Sequence, residues 1–331
     1  MRIWKHTPLD AIMVALSAAH LATTVWLAST WSAASPGWRL ASFALVLLMT
    51  IYSVIVITHL FTHTPWFQSH ALNALGSMLH SINIGQSAKV YELMHVRNHH
   101  CYGNDRRGPD GQCRDFSSTF QEGRNGQHAS LARYAFLGAF STLDDIAQAL
   151  LSATRAWRVG PAEQRVLDLL AKGPARARER RQVQLDRMAH FVAVAALSSI
   201  SWEWMLACYL PAYYLALAFI NVQNYYEHYG ATPDNQYADS VSYYGRLYNL
   251  LTFNDGYHQE HHLRPGAHWS RMPAVRRDCE RLLSQSTRVV SPVPAIVGFL
   301  HRGRPQLDRV PSAAQATAVQ TGGEATALTS R

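Results

Sequence analysis

Cysteine is scarce and scattered. Only Cys101, Cys113, Cys208 and Cys279 occur in 331 residues, with no C-x-x-C pair, which excludes a zinc ribbon and a disulfide framework and leaves reduced thiols. Charge is equally thin, at 16% of residues. The balance is basic, +8 formally, yet no aromatic-interleaved basic groove accompanies it. Nucleic acid is therefore not an expected partner, and the charge is better explained by membrane topology and anionic lipid. No internal repeat is visible beyond two apolar hairpins.

What the chain has is segregated apolar sequence. Residues 11–31 and 38–58 each reach the roughly 20 apolar residues that a bilayer core requires. The first is too long for a removable signal peptide and is followed closely by a second span. A third apolar block, 188–222, is interrupted by Glu203 and Pro211. As one helix at about 1.5 Å per residue it would run roughly 52 Å, against a bilayer core of about 30 Å. The block therefore reads as a hairpin of two short spans, 188–201 and 204–222, turning near Ser201 to Trp204, with a single tilted span as the other reading.

Basic residues orient these spans. Arg2 and Lys5 precede the first, the turn from Thr30 to Gly37 is uncharged, and 155–187 is crowded with arginine. Both termini and the middle segment are expected in the cytosol. The fold class is then all-α and integral to the membrane: two transmembrane hairpins, about four spans, carrying a cytosolic helical cap built from 59–187 and 223–304. One domain covers 1–304. Residues 305–331 lack apolar periodicity and aromatics and are expected to be a disordered tail.

Histidine is what is abundant. Of 17 histidines, nine fall into four short clusters. THLFTH holds His59 and His63 at i,i+4; MHVRNHH holds His95 and His99 at i,i+4 with His100 adjoining. NVQNYYEHYG places Asn224 four residues before His228, and GYHQEHHLRPGAHW carries His258, His261 and His262. On a helix, i,i+4 puts two rings on one face. Neutral imidazole is a common ligand of iron, zinc, copper and nickel, and nine exceed what one ion holds. Two metal ions follow. A histidine-rich transporter or buffer would place these residues inside spans or in low-complexity tracts, and a haem would need facing pairs within spans. The clusters instead lie beyond the span ends. They can meet only if 188–222 returns to the cytosol and if neither 71–85 nor 131–151 crosses, both of which suit interfacial helices.

The order H-x-x-x-H, H-x-x-x-H-H, N-x-x-x-H, H-x-x-H-H across two hairpins resembles the membrane fatty-acid desaturase and alkane hydroxylase superfamily, over about residues 40 to 275. The resemblance implies two irons that activate O2. Carried over by position, the metal ligands are His59, His63, His95, His99, His100, His228, His258, His261 and His262. Asn224 corresponds to an asparagine that approaches one iron through water. Asp255, Glu227 and Glu92, acids beside the boxes, are candidates to hold the far ring nitrogens, the other reading being ordinary salt bridges.

His268 reads as a structural, hydrogen-bonded histidine, and His80 and His128 as bland. Tyr225, Tyr226, Tyr243, Tyr244 and Tyr248 either line a pocket or belong to an interfacial belt. The second-box spacing and NYYEHYG resemble hydroxylases, whereas RDFSSTF at 114–120 and the GYH…PGAHW closure resemble bacterial desaturases; desaturation is the favoured expectation and hydroxylation the alternative. Loss of one hydrogen from carbon followed by oxygen transfer gives an alcohol, and loss of a second from its neighbour gives an alkene. Placement of the substrate by about an ångström decides between them.

The resemblance further implies a multi-pass enzyme of the bacterial inner membrane with its active site facing the cytosol, and an acyl, alkyl or small amphipathic substrate drawn from the bilayer. With no rubredoxin module, flavin fingerprint or haem appendage in the sequence, electrons are expected from a separate ferredoxin or rubredoxin. A membrane zinc hydrolase stays as a distant alternative; it would use three histidines and leave six without a task.

Overall fold

The computed structural model describes residues 2–124, 126–154 and 159–309. Helix dominates throughout, and the β-contacts among the described residues are isolated bridges at Trp4–Phe67 and Ser242–Val290. Helix α1 (Asp10–Thr30) is followed by α2 (Pro36–His63). Ser35 starts α2 by accepting a hydrogen bond from the Trp38 amide, with Pro36 in the first turn where its missing N–H costs nothing. Next come α3 (His70–Ile84), α4 (88–102), α5 (Leu131–Thr154) and α6 (Pro161–Leu169). Then α7 (Ala175–Ile200) and α8 (Trp202–His228) precede three short helices, α9 (Arg246–Leu251), α10 (His258–Leu263) and α11 (Met272–Asp278).

Among the described residues, three helices are long and apolar enough to cross a membrane: Asp10–Ala33, Pro36–His63 and Trp202–His228. Their outward faces carry bare apolar side chains, such as Leu40 at 71% exposure and Leu48 at 62%, the signature of a surface solvated by lipid. The stretch expected as a fourth span, 188–201, is the C-terminal half of α7. The first half of that helix, ARARERRQVQLDR, is too charged for a bilayer core. At the place of the expected turn the helix breaks: Ser201 leaves the helical region and its hydroxyl accepts from the Trp204 amide. Helices α3 and α5 are not among the three long apolar ones, in keeping with the interfacial placement read from their polar residues.

Three π-helical turns interrupt these helices, at Ser53–Thr58, Leu93–His99 and Met205–Tyr209. The third precedes Pro211, which has no N–H to continue the α ladder. The first two lead straight into histidine boxes. At the α3–α4 corner the backbone turns left-handed at Gly85 (φ 68°), and the Tyr213 hydroxyl donates to the Ile84 and Gly85 carbonyls at 3.1 Å each. A Cβ at position 85 would lie 2.6 Å from the Tyr213 ring, so only glycine fits.

Polar ties fix the cap. Asp186 of α7 is fully buried and accepts from Ser77, Ser87 and the Lys89 amide, binding α3 and α4 to α7. Glu179 takes both guanidinium nitrogens of Arg97 and the Ala171 amide. The tail is expected from 305, but 305–309 are docked: Leu307 N–H donates to the Gly230 carbonyl and Asp308 pairs with His128 at 3.0 Å. Residues 310–331 lie outside the described residues.

Burial opposes the charge on Glu179, but the hydrogen bonds from Arg97 and the Ala171 amide and the charge of Lys89 outweigh it, holding the carboxyl down to about 2. A lowered carboxyl contributes stability that is complete above its ordinary value of 4.5 and is lost as pH falls towards 2. Glu179→Gln is therefore expected to destabilise the detergent-solubilised protein by about 1–2 kcal/mol at neutral pH. Thermal unfolding curves for the two proteins should converge as pH is lowered through that window; a constant gap would contradict the assignment.

Candidate dinuclear metal centre

All nine box histidines converge at the ends of α2, α4, α8 and α10, in two compact groups. His59, His63, His95, His100 and His261 form one; His99, His228, His258 and His262 form the other, each residue offering a nitrogen within 4.8 Å of the rest of its group. In the first group the Nε2 atoms of His59 and His261 are 3.0 Å apart and those of His95 and His100 3.2 Å. In the second, His228 Nε2 lies 3.1 Å from His99 Nε2 and 3.4 Å from His258 Nε2.

The partition differs from simple i,i+4 pairing. His59 and His63 share a group, as do His258 and His262, but His95 pairs with His100 and not with His99. The cause is the π-helical turn over Leu93–His99. A π turn closes its hydrogen bonds at i,i+5, here from the His100 N–H to the His95 carbonyl, which brings His100 round to the group of His95 while the stacked His99 ring, 5.2 Å from His95, reaches the other group. Neighbours then face different groups: His99 from His100, and His261 from His262.

Outside the rings stands a layer of carboxylates. His99 Nδ1 meets Asp115 Oδ2 at 2.8 Å, with both side chains essentially fully buried. Asp115 is further tied by the Asn104 and Ser117 amides and the Ser117 hydroxyl. Burial works against ionisation of Asp115, but the contact with His99 and the Ser117 hydrogen bonds hold its carboxyl below the usual range. Asp255 lies 3.4 Å from His59 Nδ1, Glu227 3.6 Å from His258 Nδ1 and Asp239 3.7 Å from His262 Nδ1. His228 Nδ1 instead meets the Asp239 carbonyl at 3.1 Å. Asp255 is presented by a bent loop with left-handed backbone at Phe253 and Asn254 (φ 51° and 65°).

Of the supporting residues expected from sequence, Asp255 and Glu227 stand against imidazoles, whereas Glu92 does not: it pairs with Lys89, an ordinary i,i+3 salt bridge. The Asn224 amide nitrogen donates to the Ser117 carbonyl and the Tyr134 hydroxyl. Asp115 and Asp239 were not singled out from sequence. Asp115 sits in RDFSSTF, a segment that carried a resemblance but no local periodicity to expose the acid. His268 is held by Asp10 and Ser270, His128 by Thr119 and Asp308, and His80 is enclosed by Phe61 and Trp66. Tyr248 lines a cavity and donates to Asp255. Tyr225 and Tyr226 pack against Tyr229, Tyr244 binds Glu260, and Tyr243 stacks edge-on to Tyr248.

This donor set fits metal. Burial, and next the repulsion of neighbouring imidazoles, holds His95, His100, His258 and His261 well below the usual histidine range, so their rings are uncharged. Burial also lowers His262, opposed by Asp239. Two ligands of one ion with bonds of about 2.0–2.1 Å stand roughly 3 to 3.4 Å apart, which is the spacing of the nitrogens here. Nε2 of His63 and of His262 are buried without any hydrogen-bond partner, a cost that coordination would remove. Five imidazoles in one group exceed the four ligands of a structural zinc.

Beneath the centre, an apolar cavity of about 480 Å³ runs between α1 and α2, within the usual size of small-molecule sites. Gln223 and Tyr248 line both this cavity and a small cleft shared with Glu227, Asp255 and His258. The family model described as Fatty acid desaturase matches residues 36–293. The chain belongs to this family. It is similar to sphingolipid delta(4)-desaturases of Candida albicans, 55% identical over 40 residues (12% of this chain, 10% of that protein), and of Komagataella phaffii, 37% identical over 82 residues (22% of each). These matches span about a tenth to a fifth of the length of the relatives.

Replacing Asp115 by Asn removes the charge behind His99 alone. In a two-site metal titration of the apoprotein, affinity at one site should fall by about 10–100-fold with the other unchanged. Equal weakening of both sites would refute the partition.

Proposed function

We propose that the protein is an O2-dependent di-iron oxidoreductase that desaturates an unactivated alkyl chain of a fatty-acyl or lipid-like substrate, using electrons from a separate carrier. The observation that carries the reading is the placement of two histidine groups directly above an apolar cavity bordered by helices long enough to cross a bilayer. Family membership and the desaturase relatives support the same choice.

Bound iron would activate the O2 that serves as oxidant for C–H cleavage. The chain's own residues do the rest. Nine imidazoles hold the ions, five and four, and Asp115 and Asp239 fix the rings of His99 and His262 by drawing on their Nδ1 sides. Gln223 Nε2 donates to Glu227 Oε1 at 2.6 Å and to Asp255 Oδ2 at 3.3 Å, and the Tyr248 hydroxyl donates to Asp255 Oδ2 at 3.0 Å. These bonds turn the two carboxylates towards His258 and His59. The apolar wall of Ile55, Val56 and Ile57 excludes water and aligns the chain below the centre.

In the membrane, α1 with α2 forms one hairpin, and the apolar end of α7 with α8 forms the other, leaving cap and centre on the cytosolic side. Lys172, Arg176, Arg178, Arg180 and Arg181 are exposed near the start of α7. Their charge suits an acidic ferredoxin or rubredoxin, and donor-supported turnover should fall steeply between low and high salt. Turnover indifferent to ionic strength would count against this docking mode.

Expression in a host of known lipid composition should yield new double bonds, abolished by His261→Ala and nearly unchanged in His301→Ala. About two irons per chain should accompany the activity. New hydroxyls in place of double bonds would transfer the assignment to the hydroxylase alternative, which the second-box spacing favours. One zinc with no O2 uptake would overturn it in favour of hydrolysis.

A further inference from the structure

His20 sits half-way along α1, a helix of 21 residues. An ionisable side chain at that depth of a membrane span is costly and marks function more often than packing. Its Nδ1 lies 2.7 Å from Ser53 Oγ, in the π-helical turn of α2. His20, Thr23 and Ser53 form a polar spot on the wall of the apolar cavity, facing Leu16, Met49 and Ile55. His20 Nε2 has no hydrogen-bond partner among the described residues. A mere link between helices does not need a second ring nitrogen; nearby, Asn83 joins α3 to α1 by donating to the Ser17 carbonyl, with no ionisable group.

We propose that His20 Nε2 is the recognition site for a hydroxyl carried part-way along the substrate's alkyl chain. This rests on the reading that the cavity takes such a chain. Ser53 either donates to Nδ1 or accepts from it, which leaves Nε2 a donor in one tautomer and an acceptor in the other. A hydroxyl pairs with both. A carbonyl pairs with only one, and a charged group would be stranded among apolar walls. Six residues separate Ser53 from His59, at most roughly 9 Å at the α-helical 1.5 Å per residue and less through the π turn, so the hydroxyl lies several carbons from the carbon that reacts. Substrate selection then follows from an unpaired nitrogen on the cavity wall: an unsubstituted chain would cover Nε2 and leave it unsatisfied, and a hydroxylated one fills it.

The test is displacement of fluorescent cis-parinaric acid from the detergent-purified full chain by octadecanoic acid and by hydroxyoctadecanoic acids substituted at successive positions. At least one isomer should displace the probe about fivefold better than octadecanoic acid, the worth of one hydrogen bond. That advantage should vanish in His20→Leu and shrink in Ser53→Ala, while octadecanoic acid displaces at least as well from the variants as from the wild type, showing that the cavity is intact. If His20→Leu loses octadecanoic acid as well, His20→Asn is read by the same criterion. An advantage that survives the loss of His20, or no advantage for any isomer in the wild type, overturns the inference and leaves the alkyl cavity standing. Failure of octadecanoic acid and every isomer to displace the probe overturns the alkyl cavity itself, and this inference with it.

Discussion

Nine imidazoles crowd their ring nitrogens into one dry volume, and everything else in the architecture follows from making that arrangement tolerable. Pairs of Nε2 atoms stand 3.0–3.4 Å apart, so each pair must share a proton or a cation. Around them stand Asp115, Asp239, Asp255 and Glu227, acids that would be expensive to bury beside neutral rings. Two divalent ions would resolve both difficulties together, since they would accept the lone pairs and offset the charge of nearby carboxylates. The centre is thus assembled as concentric layers of opposite demand, cation, imidazole and carboxylate.

Holding those layers requires rigid supports entering from four directions. Helices α2 and α8 rise from the apolar slab and carry boxes at their upper ends; α4 and α10 close over them. The corner at Gly85, clamped by Tyr213, fixes α4 to α8, and the buried Asp186 fixes it to α7. Arg304 donates to the Tyr226 carbonyl and lies over the Tyr226 ring, so the segment around Arg304 seals the end of α8. These ties are polar and local, whereas the slab is held by apolar packing around Trp204, Tyr209 and Leu27.

The histidine clusters were legible because hydrophobic runs end abruptly and rings recur at helical spacing just beyond them; that alone indicated that the nine rings would meet. Which ring joins which group was not legible. His95 and His99 look like partners on an α-helical wheel, and only the π turn, which no residue in LMHVRNH announces, hands His95 to His100. Asp115 escaped notice because it lies in a loop 16 residues from His99, where proximity is set by tertiary folding. Glu92 attracted attention by adjacency alone, and Lys89, three residues away on the same helix, claims it. The 188–201 stretch illustrates a different limit: composition identified an apolar segment and its turn, but not that the helix begins 13 residues earlier in arginine-rich sequence.

Adjacent residues that face different ions have a mechanical consequence. His99 with His100, and His261 with His262, act as two short struts of fixed backbone length between the metal positions. The spacing of the two histidine groups is then constrained by peptide geometry, which is stiff, as well as by side-chain rotamers, which are softer. A displacement of α4 or α10 would carry ligands of both groups together, so ions held there would tilt as a unit more readily than they would move apart.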